Sequence, residues 1–171
     1  MTNSAKQYAI ALFSLAKEDN QTEKVYKKYN EFLDSIDDKV WDFFLNPKFS
    51  DYNKHKIIEA IFEIKLIINF FKTLIDNKRF DLIKDINHAY KELLNESLEI
   101  LEIDVFTQSA LSEENKEKLR NKFNKKFDKI IIINEVINPH IVGGIRIEYQ
   151  GKVLDQTINS SLEKLKSSLI G

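Results

Sequence analysis

The chain has 171 residues, 43% of them hydrophobic, with 26 basic against 27 acidic side chains and no cysteine. That length allows one ordinary domain or two small ones, and the balanced charge excludes the strong positive field of a phosphate-backbone binder. The absence of cysteine excludes disulfides, thiolate metal sites and cysteine nucleophiles together. No aliphatic stretch, Leu66-Ile67-Ile68 before Asn69 included, comes near the ~20 residues of a bilayer-spanning helix.

From Met1 to Val142 there is no glycine, and the only prolines are Pro47 and Pro139. Hairpins and tight loops need such punctuation, so helices are expected there. The first is predicted from about Ser4 to Asp19, with Tyr8, Ala11, Leu12 and Leu15 on one face. The second carries Val25, Tyr29, Phe32, Leu33 and Ile36 at spacings of three and four. Asp37 or Asp38 starts a short third helix through Val40, Trp41 and Phe44, which Asn46-Pro47 ends, because a residue before proline is pushed out of the helical region. Ser50 or Asp51 caps the fourth, with Ile57, Ile58, Ile61 and Phe62 inward. The fifth, through Phe70, Phe71, Leu74 and Ile75, ends at Asn77-Lys78, where asparagine can take the left-handed conformation. The sixth begins near Phe80 and presents Leu82, Ile86, Ala89, Tyr90 and Leu93.

Near Ile100 the hydrophobic period changes from helical to alternating, with Ile103, Val105 and Thr107 set against Asp104 and Phe106. The remainder reads strand, helix (Glu113 to Phe127), strand (Ile130 to Val136), hairpin, helix. Gly143 and Gly144 open a strand in which Ile145, Ile147 and Tyr149 alternate with Arg146 and Glu148. Gln150-Gly151 makes a two-residue turn, Lys152 to Leu154 return, and Asp155 or Thr157 caps a last helix bearing Ile158, Leu162, Leu165 and Leu169. The expected fold is mainly α in two domains: a six-helix bundle over residues 1–101, then a small α+β domain over 102–171 with a short sheet and two helices.

No catalytic, cofactor or metal site emerges. His55, His88 and His140 lie in separate elements without ligand spacing, Gly151-Lys152 lacks the rest of a phosphate loop, and the paired acids Asp37-Asp38 and Glu113-Glu114 stand at helix starts, where they oppose the positive end of the dipole. The basic run Lys122 to Lys129 reads as a solvated helix end. Helices one and five are another matter. With Ile10, Phe13 and Ala16 besides the first face, and Leu66, Ile67 and Ile68 besides Phe70, Phe71 and Leu74, both are apolar on more than one side, so an exposed groove is expected.

Five segments in order resemble the delta subunit family of F-type ATP synthases, called in mitochondria the oligomycin-sensitivity-conferring proteins. They are Y-A-I-A-L-F-S-L-A-K-E from Tyr8, F-F-L-N-P-K-F-S from Phe43, D-N-K-R-F-D-L-I from Asp76, I-D-V-F-T-Q-S-A-L-S-E-E from Ile103, and the closing G-G-I-R-I, G-K-V-L-D and S-L-E-K-L-K-S-S-L. The resemblance covers essentially the whole chain. It departs at Lys78, where the family usually has glycine, and around Tyr149-Gln150-Gly151, which leaves the helix-five cap and the turn type open.

The resemblance implies a non-catalytic stator adaptor that holds the catalytic head against rotor torque during proton-driven ATP synthesis. The helical domain would receive the amino-terminal helix of an alpha subunit between helices one and five, on Tyr8, Ala11, Leu12, Leu15, Phe70, Thr73, Leu74 and Asn77. The second domain would meet the carboxy-terminal ends of b-type peripheral stalk subunits through the hairpin and last helix, with Gly143, Gly144, Arg146, Asp155, Leu162 and Leu165 as contact or scaffold residues. No nucleotide, nucleic acid or membrane insertion is implied. Lacking a signal sequence or Arg-rich transit peptide, the chain is expected on the cytoplasmic side of a bacterial membrane, as a peripheral part of the synthase. The competing reading is an unrelated scaffold module that binds a helix.

Overall fold

The computed structural model describes residues 3–162, a predominantly helical amino-terminal region followed by a small α/β domain. The chain divides into two compact units, Met1–Leu94 and Asn95–Gly171.

The first unit contains α1 (Asn3–Glu18), α2 (Thr22–Ser35), α3 (Asp38–Leu45), α4 (Asp51–Ile61), α5 (Lys65–Asp76), a 3-10 turn (Phe80–Leu82) and most of α6 (Ile83–Ser97). Local chemistry sets several of the ends. The Asp37 side chain accepts from Val40 N–H at the start of α3, and Ser50 does the same for Asn53 at the start of α4. Asn46, before Pro47, leaves the helix with ψ 121°.

An aromatic cluster fills the interior. Phe71 lies 5.0 Å from both Tyr29 and Phe32 and 5.1 Å from Phe62, while Phe44 stacks on Phe80 at 4.2 Å. Two buried phenols find backbone acceptors: Tyr29 Oη donates to Ile83 O at 2.9 Å and Tyr90 Oη to Thr22 O at 3.0 Å. Burial pushes both hydroxyls above the usual tyrosine range, so they remain donors. Lys54 is also buried, and it satisfies its ammonium by donating to Asn46 O at 3.0 Å, at the negative end of α3.

Three expectations need correction here. Ile57 and Ile61 do not point inward; they are 37% and 47% exposed, because α4 turns Lys54 and Ile58 to the core and closes on Phe62. The inner stripe of α1 is Ala5, Ala9, Leu12 and Ala16, about a fifth of a turn away from the face Tyr8-Ala11-Leu12-Leu15, since the small alanines let the helix sit close to its neighbours. The left-handed residue after α5 is Lys78 (φ 55°), whereas Asn77 has φ −81°. Arg79 N–H reaches Leu74 O at 2.8 Å and Lys78 N–H reaches Ile75 O at 3.0 Å, the paired bonds of a Schellman cap.

Lysine thus occupies a position that glycine fills without a Cβ penalty. Its ion pair with Asp51, at 2.6 Å on the surface, recovers little of that strain. Lys78→Gly is therefore expected to stabilise the protein by about 0.5–1 kcal/mol, measurable as a higher urea midpoint at unchanged slope.

The second unit holds β1 (Ile100–Thr107), α7 (Glu113–Phe127), β2 (Ile130–Ile137), β3 (Gly144–Tyr149) and β4 (Lys152–Thr157), and the chain is helical again from Ile158 to Leu162. The sheet order is β2-β1-β3-β4. β1 and β2 run parallel, joined through α7, whereas β3 is antiparallel to both β1 and β4. Both returning strands outrun the sequence expectation, β2 by one residue and β4 by three.

Along β1 the burial alternates, with Leu101, Ile103, Val105 and Thr107 inside. They share a face with Ile131 and Ile147, which register opposite Leu101 and Val105, and this core includes Phe123 of α7. Phe123 also packs edge-on to Tyr149 at 5.4 Å. Ser112 caps α7 as Ser50 caps α4, and Asp128 ends it in the left-handed conformation. Glu135 of β2 turns toward α7, accepting from Leu111 N–H and pairing with Lys116 at 3.3 Å; the N–H bond chiefly, helped by the ammonium, holds its carboxyl below the usual range.

Candidate functional site: the groove between helices one and five

α1 and α5 pack directly against each other. The Tyr8 ring meets Phe70 edge-on at 6.3 Å, and Asn77 Nδ2 donates to Tyr8 Oη at 3.1 Å. These contacts clasp the two helices together on the surface. Along the seam Tyr8 and Phe70 are half-buried, while Ala11, Leu15, Thr73 and Asn77 are exposed. Leu15 leaves 49% of its surface in water, a large apolar exposure on a short helix.

The eight predicted residues lie along this seam at two depths. Leu12 and Leu74, 1% and 0% exposed, belong to the core. The other six are half-buried or exposed. Thr73 Oγ1 donates to Asn69 O at 2.8 Å, leaving a methyl-bearing, internally satisfied side chain on the surface. The Tyr8–Asn77 clasp had no signature in the sequence, because its partners are 69 positions apart.

In the second unit the hairpin residues also converge. Gly144 has φ +83°; a Cβ there would come within 2.9 Å of Thr157 Cα and closer still to the Gln156 carbonyl oxygen. At Gly143 a Cβ would meet only the end of the Ile158 side chain, at 2.8 Å, which can move aside. Gly143 O accepts from Ile158 N–H at 3.0 Å, tying the strand to the start of the last helical segment. Gln150 and Gly151 both have positive φ, 47° and 73°, making the turn type I′.

Of the two caps foreseen, Thr157 is the one used: its Oγ1 accepts from Ser160 N–H at 3.2 Å. Asp155 orients it, accepting from Thr157 N–H at 2.9 Å and Oγ1 at 2.8 Å. Arg146 lies over the Phe106 ring at 5.8 Å and pairs with Glu148 at 2.5 Å. With His140 and Thr157, Arg146, Glu148, Asp155 and Phe106 line a cleft of about 320 Å³. Leu162 is 58% exposed, and Leu165 lies outside the described residues.

Residues 5–169 match the family described as ATP synthase delta (OSCP) subunit. The "ATP synthase subunit delta" of Clostridioides difficile is 31% identical over 96% of this chain and 94% of its own length. That of Caldanaerobacter subterraneus is 29% identical over 96% and 95%. A chain in the cryo-EM structure of the Toxoplasma gondii mitochondrial ATP synthase hexamer has the same fold, with a TM-score of 0.74 at 20% identity, over 100% of this chain and 99% of that one. With a family match over nearly the whole length and a relative 31% identical along it, the chain belongs to the ATP synthase delta (OSCP) subunit family.

Proposed function

We propose that this protein is the stator adaptor of an F-type ATP synthase, a non-catalytic link that joins the alpha/beta head to the b-type peripheral stalk. The observation that carries this reading is the family match over residues 5–169, and the exposed Leu15 and half-buried Tyr8 and Phe70 along the α1–α5 seam support it. An amphipathic helix with anchors at i, i+3, i+4 and i+7 docks along that seam, its apolar side chains against Tyr8, Ala11, Leu15 and Phe70, with Leu12 and Leu74 supporting these from the core. Ala11 supplies the close approach, having no side chain beyond Cβ. The occupant is the amino-terminal helix of an alpha subunit, and helices α1 to α6 act as one bundle that presents the groove.

The α/β domain is the stalk-binding part. Arg146, with Phe106 behind it, and Leu162 supply its contacts, while Gly144, Asp155 and Thr157 hold the hairpin and the helix start in register. Its task is adhesion, and among the described residues no helix is long and apolar enough to cross a membrane. The protein thus works as a peripheral part of the complex, on the cytoplasmic side of a bacterial membrane.

Calorimetric titration of the full chain with a peptide from the amino terminus of the same organism's alpha subunit tests the reading. One-to-one binding near nanomolar affinity, about 12 kcal/mol, is expected. A folded protein that ignores this peptide but captures unrelated amphipathic helices would instead favour the general scaffold.

A further inference from the structure

Tyr8 of α1 and Asn77 at the end of α5 share a single hydrogen bond, and it leaves bonding capacity on both side chains. Asn77 Nδ2 donates to Tyr8 Oη at 3.1 Å on the surface, so the phenolic hydrogen has no acceptor, and Asn77 Oδ1 no donor, among the described residues. A phenol donates as well as accepts, and a carboxamide carries an acceptor beside its donors. The clasp therefore presents one donor and one acceptor side by side. Turning the Asn77 amide over exchanges the two roles and keeps the pair. The rest of the seam is poor in such groups: Ala11, Leu15 and Phe70 have none on their side chains, and Thr73 directs its hydroxyl hydrogen to Asn69 O. A helix lying along the seam dries the clasp, and a buried donor or acceptor left unpaired is costly.

We infer that Tyr8 and Asn77 determine specificity by reading one polar side chain of the docked helix, a primary carboxamide of asparagine or glutamine. The inference rests on the stator reading and narrows the chemistry of its partner at one position. The phenolic O–H donates to the incoming carbonyl oxygen, the incoming N–H donates to Asn77 Oδ1, and the existing bond from Nδ2 to Oη closes a ring of three hydrogen bonds. Other side chains fail by count. A carboxylate brings acceptors alone and sets an oxygen against Oδ1; an ammonium brings donors alone and leaves the phenolic hydrogen unpaired; an apolar group leaves both. Sites that hydrogen-bond a ligand group discriminate strongly against ligands that lack it. The apolar anchors thus supply affinity, and the clasp selects the register and the partner.

Calorimetric titration of the full chain with the amino-terminal peptide of the same organism's alpha subunit tests this, using Tyr8→Phe and Asn77→Ala in the protein. In the peptide, the asparagine or glutamine bordering its apolar stripe is replaced by alanine or by glutamate. Against the parent protein both replacements are expected to weaken binding by about tenfold or more. Tyr8→Phe keeps its ring on Phe70 and should lose about tenfold toward the amide peptide. Toward the alanine peptide it should lose about twofold at most, because the two changes remove the same interaction. A clasp that merely held α1 against α5 would cost both peptides alike. Should Tyr8→Phe unfold, Asn77→Ala, at an exposed position, carries the same comparison. Equal losses toward both peptides, or variants that bind the amide peptide as the parent does, would overturn the inference and leave the stator reading standing. So would an alpha peptide that binds tightly and has no asparagine or glutamine. A folded parent that binds no alpha peptide would overturn both.

Discussion

Ala11→Asp is expected to abolish binding of the alpha-subunit peptide while leaving the fold intact. Ala11 is exposed on α1, beside Leu15 and on the α5 side of the helix, so aspartate there meets only water in the free protein. A docked helix would bury it. Burying a carboxylate without a partner costs about 3–5 kcal/mol, which corresponds to a loss of roughly 100-fold or more in affinity. The circular dichroism signal and melting temperature should match the parent, since the core stripe Ala5-Ala9-Leu12-Ala16 is untouched. Titration of the variant with the same peptide checks this; binding within threefold of the parent would place the helix elsewhere. The neighbouring residue gives the contrast. Leu12→Asp would put the same charge into a position that is 1% exposed and should unfold the first unit, so only Ala11 separates binding from stability.

Gly144→Val should misfold the second unit. Two costs combine: a β-branched residue at φ +83°, and a Cβ driven into the backbone of β4 at Gln156 and Thr157. Backbone cannot step aside as a side-chain end can, and Gly144 pairs directly with Thr157, the residue that caps the final helical segment. The expected loss exceeds about 3 kcal/mol, the range of strained backbone plus overpacking. Hydrogen exchange on the full chain reads it by unit: amides of β3 and β4 lose protection while those of α5 and α6 keep theirs. Gly143→Ala is the control, since its new methyl meets only the mobile end of Ile158, and it should be far milder. A stable Gly144 variant with weakened stalk binding would make the glycine a contact residue.

Much of the local structure was legible in the sequence because it is made by local interactions. Asp37 and Ser50 cap helices through the N–H three residues on, and a reader of the chain sees both partners in one window. The change to alternating hydrophobicity near Ile100 marked β1, and Gln150-Gly151 marked the tight turn. What failed depended on neighbours far away. Ile57 and Ile61 satisfy helical spacing as well as Ile58 does, yet only Ile58 faces the core. Lys78 rather than Asn77 took the left-handed position because the end of α5 is set by the pair of bonds to Leu74 and Ile75.

The uncovered apolar surface of α1 was legible in outline and not in depth. An excess of apolar residues on α1 and α5 announced that some would remain uncovered, but periodicity alone gave Leu12 and Leu15 the same standing. Packing separated them, sending Leu12 to the core and leaving Leu15 half in water. The clasp between Tyr8 and Asn77 needed the two helices side by side before it could exist.

The sequence by itself determined the class of the helices and strands, the caps of α3 and α4, the glycine hairpin and the family, since each is written in residues close together or in motifs that keep their order. The tertiary structure decided which apolar side chains form core and which form surface, the sheet order β2-β1-β3-β4, and hence the open edge at β2. Burial and strand order are set by contacts between distant segments, and hydrophobicity, having no direction of its own, does not encode which segment will provide the cover.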